Sequence, residues 1–347
     1  MSAAAYATFG LAPAARAGGV LTNGVHRLHR DFMDFVVDGR PLLHQLSDLD
    51  AVSPLASDIP PAIFVTHVRR LLLEAAPPLP DNRYVIYGCP ECEGLECGAV
   101  TAVIEQRGCD ILWRDFAWQT THTLDFARDG YHGVGPFRFD AAQYRAELAR
   151  LLPPEGAADD SPPLLRRRVL LIGSRVAVLA KLAAALRTIN IGAEIAADAD
   201  RVPPTEIRTY AAVLFGASIA EHEKAAVRAA FGRAGAEPAY LDGLAPLVPV
   251  LVAQVEHALD PTPPEQRRLV RLVAADGEAG VEVASTCRVQ LYAYRQDRLH
   301  RTHGRLVFEG LLEPGGHRIA LDERATRGPS YLIARTLGSV LTTPTSP

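Results

Sequence analysis

The residues best suited to chemistry are three cysteines close together in the stretch YGCPECEGLECGAV. Cys89 and Cys92 have the C-x-x-C spacing with a proline between them, and four residues separate Cys92 from Cys97. A turn of this kind can bring two thiolates to one tetrahedral metal ion, and a structural zinc ion needs four ligands. The stretch therefore predicts a structural zinc site, for which a fourth ligand has to be found.

Cys109 and His122 are the two candidates for the fourth ligand. A strand over residues 98–106 would carry the chain about 30 Å away from the other cysteines at about 3.3 Å per residue, so Cys109 would lie at the far end of a hairpin. The returning strand, 111–118, would bring His122 of QTTHT back toward them. The predicted metal ligands are Cys89, Cys92, Cys97 and His122.

Two alternative interpretations of these cysteines stay open. A redox dithiol of the thioredoxin type places its C-x-x-C at a helix N-terminus, where the helix dipole lowers the thiol pKa. Here the motif lies between two predicted strands, so that activation is missing. The other alternative is a tight loop that carries three free thiols, because C-x-x-C alone is a weak signal.

A second candidate site follows the predicted strand RVLLIG. A dinucleotide fingerprint, G-x-G-x-x-G, needs its glycines so that the backbone can approach a pyrophosphate. The chain has Gly173, but Arg175 and Val178 stand at the other two glycine positions, where their side chains would occupy the space of the pyrophosphate. NAD(P) binding is therefore disfavoured, and the sequence contains no phosphate loop of the GxxxxGK type.

Any ligand of this part of the chain should bind in the crevice at the carboxyl ends of its strands. Ser174 and Arg175, at a predicted helix N-terminus, could hold one phosphate or carboxylate. The alternative is that they cap the helix and carry solvated charge. Asp198, after the second strand, stands about where a ribose-binding acid would be. The residues predicted to line the crevice are Gly173, Ser174, Arg175, Asp198, Gly216, Ser218 and Asp242.

Two proline-rich stretches divide the chain of 347 residues, PPEGAADDSPP at 153–163 and DPTPPEQ at 260–266. Proline fixes φ and removes a hydrogen-bond donor, so neither stretch can continue a helix or a sheet. We expect both to be exposed and cut first by proteases. The predicted division is a loose tail (1–19), a module with the cysteine loop (20–152), a second module (166–260) and a third module (267–343).

Each module has its own hydrophobic pattern, which predicts a multidomain protein of α/β and β structure. The N-terminal module mixes β-type runs with helices, including an Asp38-Gly39 hairpin turn and a helix capped by Asp140, and is predicted to be α+β. The central module alternates apolar strands with amphipathic helices, which predicts a doubly wound parallel sheet, Rossmann-like but degenerate. Short strands between Gly, Pro and Asp turns predict a C-terminal antiparallel β-sandwich.

Large aromatic residues recur along the predicted strand DILWRDFAWQ, at Trp113, Phe116 and Trp118. They could form a binding face, but large residues repeated on one side of a strand fit a half-buried sheet better. We therefore expect them to belong to the core.

Composition and charge exclude several classes of protein. The formal net charge is -4, so there is no basic excess to neutralise phosphates, and nucleic-acid binding is disfavoured. No stretch is apolar for long enough to cross a bilayer, and the start MSAAAYATFG lacks the features of a signal peptide. Five cysteines, three of them in one loop, do not suggest a secreted disulfide framework. We expect a cytoplasmic protein without membrane contact.

The first part of the chain resembles a small, poorly characterised bacterial family. Its members carry the pattern CPECGDLGCGA…W.DF…F.F….Y and are often labelled oxidoreductase, an activity that the resemblance therefore implies. It covers roughly the first 150 residues and has no counterpart of Cys109. This chain has Cys92-Glu93-Gly94 where the family has Cys-Gly-Asp. The matching residues are Cys89, Cys92, Cys97, Gly98, Trp113, Asp115, Phe116, Phe137, Phe139 and Tyr144.

Two functions of different classes are compatible with these patterns. The sequence contains no complete active-site motif and ends in a predicted sandwich, which favours a non-catalytic binding or scaffold protein with a protein partner and a structural zinc loop. The alternative is an oxidoreductase that uses a nicotinamide or flavin cofactor, or the dithiol of Cys89 and Cys92. The sequence does not identify a small-molecule ligand for either function.

Overall fold

A computed structural model of the chain describes residues 6–20, 26–46, 49–56, 61–89, 95–152, 168–196, 204–243, 247–297, 301–322 and 328–345. These residues form a mixed α/β structure with several antiparallel sheets and one parallel sheet. Among them, no helix is both long and apolar enough to span a membrane. The chain divides into two compact units: unit 1 is Met1–Arg16, Arg30–Leu164 and Pro261–Gln266, and unit 2 is Ala17–His29, Leu165–Asp260 and Arg267–Pro347.

Unit 1 is built on two antiparallel sheets, with strand orders β1-β4-β5 and β6-β7-β8-β9. Elements are numbered along the whole chain. The strands of unit 1 are β1 (Phe9–Arg16), β4 (Arg30–Val37), β5 (Arg40–Pro41), β6 (Arg83–Gly88), β7 (Ala99–Arg107), β8 (Asp110–Gln119) and β9 (Phe137–Asp140). Its helices are α1 (Leu42–Gln45), α2 (Pro61–Leu71), α3 (Phe126–Asp129) and α4 (Ala141–Ala149).

Two local predictions for unit 1 are confirmed. The turn between β4 and β5 has positive φ at both Asp38 (+51°) and Gly39 (+75°), as a two-residue hairpin of type I′ requires. Asp140 caps α4, because its carboxylate accepts a hydrogen bond of 2.9 Å from the backbone N–H of Gln143.

The core of unit 1 is rich in aromatic side chains. Trp113 and Phe116 are completely buried, which confirms their expected place in the core, and Trp118 packs against the same cluster while half-buried. Their spacing is irregular because the pairing of β7 with β8 shifts between Thr101 and Val103, opposite the left-handed residue Asp115 (φ +55°). This bulge turns Phe116 inward although it lies three residues after Trp113.

The prediction of a loose tail over 1–19 is wrong for the described part of that segment. Residues Phe9–Arg16 form β1, which pairs along its whole length with β4. Phe9 is only 3% exposed, and its ring centroid lies 4.4 Å from that of Tyr144 and 5.8 Å from that of Trp113. The strand is stabilised by long-range burial of an aromatic ring and by cross-strand hydrogen bonds, neither of which an Ala-rich local pattern reveals.

Unit 2 begins with the short hairpin β2 (Gly19–Val20) and β3 (His26–Arg27) and contains the parallel sheet. Its order is β11-β10-β12-β13. The elements of this sheet are β10 (Arg168–Ile172), α5 (Val176–Thr188), β11 (Gly192–Ala196), α6 (Pro204–Ile207), β12 (Tyr210–Phe215), α7 (Glu221–Arg233), β13 (Ala239–Asp242) and α8 (Val248–Leu259). One buried cluster joins the sheet to α5 and α8 and another joins it to α6 and α7, so helices cover both faces.

The rest of unit 2 consists of two antiparallel sheets, with orders β14-β15-β18 and β17-β16-β19-β20. We call them the terminal sheets. Their strands are β14 (Leu269–Ala275), β15 (Glu278–Val283), β16 (Cys287–Gln296), β17 (Thr302–Leu312), β18 (Gly315–Ala320), β19 (Ser330–Arg335) and β20 (Val340–Pro344). Alternate residues of both sheets enter one buried cluster. Strand β20, which the sequence pattern did not indicate, lies at the edge, where its terminal proline is tolerated.

The structure describes only one of the two proline-rich stretches. The first, 153–163, lies outside the described residues. The second, 260–266, contains one turn of 3-10 helix at Pro264–Gln266 and is otherwise irregular. Because the parallel sheet and the terminal sheets belong to one compact unit, the proposed boundary between them stays a prediction.

Candidate functional site

The cysteine loop lies at one end of the sheet β6-β7-β8-β9. In one row across this sheet, Gly88 of β6 pairs with Ala99 of β7, and Ala99 pairs with Gln119 of β8. The three chain segments that carry the predicted ligands therefore begin or end beside the same row. Cys109 lies in the β7–β8 turn, between the paired residues Arg107 and Asp110, at the opposite end of the strands.

The structure brings three of the predicted ligands to this end of the sheet. Cys89 follows β6 and is half-buried, while Cys97 and His122 are exposed. Cys92 lies outside the described residues. Neither of the two described cysteines of the loop forms a disulfide. In the part of the chain that the structure describes, no group of three or more His, Cys, Asp or Glu side chains is arranged to hold a metal ion, so the zinc site stays a prediction.

The exit of the cysteine loop depends on Gly98, which matches the resembled family but was given no structural role from the sequence. Gly98 has φ +85°, a left-handed value that side chains other than glycine rarely adopt. A Cβ atom at this position would lie 2.2 Å from Cζ2 of Trp118, so the indole ring packs directly on the glycine backbone. The N–H of Gly98 also closes a turn on the carbonyl of Leu95, at 2.9 Å. The sequence signal for this role was the Cys97-Gly98 pair directly before a predicted strand.

Beneath the same end of the sheet lies a buried polar network. The Arg83 guanidinium donates to Thr101 Oγ1 at 2.9 Å and to the carbonyl of Asp115 at 2.7 Å. Thr101 in turn donates to Gln119 Oε1 at 2.9 Å, and Gln119 Nε2 donates to the carbonyl of Thr121 at 2.9 Å. Burial lowers the pKa of Arg83 from its usual value. The network fixes the chain where it leaves β8, just before His122.

At the carboxyl edge of the parallel sheet, two predicted glycines and two predicted serines come together. A Cβ on Gly173 would lie 3.5 Å from the Cα of Gly216, so the ends of β10 and β12 approach closely there. The hydroxyls of Ser174 and Ser218 are hydrogen-bonded at 2.8 Å and bridge the two strand ends. These four residues form the centre of the predicted crevice.

Helix α5 starts beside this edge without a side-chain cap. Arg175 occupies the N-cap position without a side-chain hydrogen bond to the helix, and the first turn contains no acidic residue. Val176, the first helical residue, is 63% exposed. The expectation for Val178 is wrong, because this side chain is half-buried and packs against the core beneath α5. Arg175, in contrast, is exposed at the turn.

An ion-pair network involves Asp242, another residue predicted to line the crevice. Asp242, at the end of β13, binds Lys224 at 2.6 Å, and Lys224 also lies 3.3 Å from Glu221. The hydrogen bond to Asp242 raises the pKa of Lys224. Arg228 binds Glu221 at 2.8 Å and lies over the ring of Phe215. Asp242 is thus already paired within the protein. Asp198, the remaining predicted crevice residue, lies outside the described residues.

Comparisons of the chain with protein family models, with curated proteins and with solved structures found no significant match.

Proposed function

We propose that the protein is a non-catalytic binding or scaffold protein of the cytoplasm, with a protein as its partner. In this proposal a structural zinc loop stabilises unit 1, the parallel sheet is a degenerate Rossmann-like fold, and the terminal sheets form a β-sandwich that presents the binding surface. Cys89, Cys97, Cys109 and Cys287 form no disulfide in the part of the chain that the structure describes, an arrangement compatible with a reducing compartment.

The observation that supports a protein partner is an apolar surface on β16 and β17. Leu306 and Leu311 are 40% and 57% exposed. Leu306 is the cross-strand partner of Tyr292, whose ring centroid lies 6.2 Å from that of Tyr294, and the Tyr294 ring covers Gly304. Leu306 and Leu311 lie on one sheet face, on either side of the Gln290–Glu309 pair, and tyrosine is enriched at protein interfaces. We call this set of residues the tyrosine–leucine face.

The proposal is tested by comparing two double variants in partner capture followed by binding measurements with the purified partner. Leu306→Ser with Leu311→Ser should weaken binding by roughly tenfold or more, because interface anchors contribute about 1–2 kcal/mol each. Val270→Ser with Val273→Ser changes exposed residues of β14, on the other terminal sheet, and should leave binding unchanged. Equal loss in both variants, or binding that is insensitive to both, would contradict the assignment of this face.

The alternative function is an oxidoreductase that binds a nicotinamide or flavin cofactor at the carboxyl edge of the parallel sheet, or that uses the dithiol of Cys89 and Cys92. The observation that favours the cofactor site is the close approach of Gly173 and Gly216 beside an α5 N-terminus that carries no acid. Backbone N–H groups at such a terminus attract anions. An absorbance spectrum and a metal analysis of the purified protein separate the two functions, because bound flavin would indicate the enzyme.

Calorimetry with NAD(P) gives a direct test of this alternative. We expect no binding at micromolar concentrations, because only one of the three fingerprint glycines is present and Arg175 occupies the turn. A micromolar affinity that Gly173→Val abolishes would favour the oxidoreductase. Gly232→Val provides a control for nonspecific effects of the substitution, because Gly232 lies in α7 and a Cβ there would meet nothing within 4 Å.

A further inference from the structure

Within unit 2, helix α8 of the parallel sheet packs against one of the terminal sheets. Val250 and Ala253 of α8 share a buried cluster with Ile333 of β19 and Val340 of β20. Tyr294 of the tyrosine–leucine face packs against this cluster, and Ile333 is the cross-strand partner of Tyr292, so α8 covers one end of that face. The parallel sheet with its helices and the terminal sheets therefore share an apolar interface. Each of these four residues is at most 3% exposed.

A charge pair lies in the same interface, between the buried Glu256 and Arg335, whose side chain is 19% exposed. Glu256 of α8 is 2% exposed, and its carboxylate accepts a hydrogen bond from Nη2 of Arg335 on β19. The second terminal nitrogen of Arg335, Nη1, donates to the carbonyl of Gly18 at 3.0 Å. On the other side of the carboxylate, Nδ1 of His29 lies 3.8 Å from Glu256 Oε1. Burial alone would raise the pKa of Glu256, but the charge of Arg335 lowers it below the usual value, so the carboxylate is ionised.

The segment 17–29 joins the two sheet systems a second time. The N–H of Ala17 donates to the carbonyl of Leu337, after β19, at 2.8 Å. The N–H of His29 donates to the carbonyl of Ile189, at the end of α5, at 3.0 Å. One short stretch of chain is thus hydrogen-bonded both to the terminal sheets and to the parallel sheet.

We propose that the parallel sheet and the terminal sheets form one rigid body, held in a single orientation by a buried clamp of Glu256 and Arg335. The apolar contacts supply the attraction between the sheets, and the ion pair selects the geometry, because any other docking would bury Glu256 without its cation. The tyrosine–leucine face is then presented at a fixed angle beside α8. The clamp itself does not depend on what that face binds.

Hydrogen exchange of the full chain, measured without a partner, tests the clamp. In one rigid body, the slowest amides of β10 and β12 and those of β16 and β19 open together and exchange with similar protection. Glu256→Gln should raise the exchange rates of both sets by the same factor, roughly tenfold or more, because the partly buried Arg335 loses its countercharge. Faster exchange in β16 and β19 with unchanged rates in β10 and β12 would overturn the proposal.

Two further variants complete the experiment. Arg318→Met removes an exposed ion pair of unit 2, in which Arg318 lies 3.3 Å from Glu278, and should change exchange little. The double variant Glu256→Leu with Arg335→Leu replaces the clamp by apolar side chains and should fold even if Glu256→Gln does not. Because the apolar contacts between α8 and the sheet remain in this variant, both sheet systems should again exchange with similar protection, and independent protection would show that they are not one rigid body. The contribution of the clamp itself is measured by Glu256→Gln. A loss of partner binding on replacing Leu306 would test the proposed function, whereas the exchange experiments test the clamp.

Discussion

Replacing Gly98 with alanine is expected to lower the free energy of unfolding of unit 1 by about 3 kcal/mol or more. The new Cβ would lie 2.2 Å from the Trp118 ring, which would have to move, and φ +85° would be strained for alanine. Both tryptophans, Trp113 and Trp118, belong to unit 1, so the tryptophan fluorescence of the full chain in urea follows this unit.

Two controls separate the contact with Trp118 from backbone strain. Gly108 also has positive φ (+63°), but a Cβ there would meet nothing within 4 Å, so Gly108→Ala should cost only about 1–2 kcal/mol. Adding Trp118→Ala to Gly98→Ala should recover part of the loss, because the steric conflict is removed while the strain remains. Equal losses for Gly98→Ala and Gly108→Ala would show that the indole does not constrain the loop exit.

Removal of zinc is expected to lower the melting temperature of unit 1 and leave unit 2 unchanged. The proposed site would be closed, with Zn–S distances of about 2.3 Å and a Zn–N distance of about 2.1 Å, and would act through stability instead of chemistry. Because binding free energy at such a site contributes directly to folding, chelation or Cys92→Ser should have a large effect. Metal analysis of the full chain should give about one zinc per molecule.

Cys109→Ser provides the matched control for the zinc prediction. Cys109 is exposed in the turn at the opposite end of β7 and β8, so its replacement should change neither the zinc content nor the melting temperature of unit 1. His122→Ala should reduce zinc affinity if this residue is the fourth ligand. A metal-free protein whose melting is insensitive to chelator would leave the loop as a tight turn that carries thiols.

Much of the local structure could be predicted from the sequence because it depends on neighbouring residues. A strand needs alternation at every second residue, and the turn at Asp38-Gly39 needs two residues that tolerate positive φ. The cap of α4 needs only a carboxylate at Asp140, which accepts a hydrogen bond from the N–H three residues later in the chain. The same reasoning placed Cys109 away from the cysteine loop, since the length of β7 fixes where the hairpin turns.

The contacts that define the candidate sites could not be predicted in this way, because each joins residues far apart in the chain. Trp118 lies on Gly98, and Glu256 meets Arg335, only after strand register and helix packing are established. Strand β1 carries no periodic pattern and is fixed by burial of Phe9 against distant rings. Sequence spacing determined which elements form and which residues lie at their ends, whereas burial between distant segments, which local propensity does not encode, decided which side chains meet.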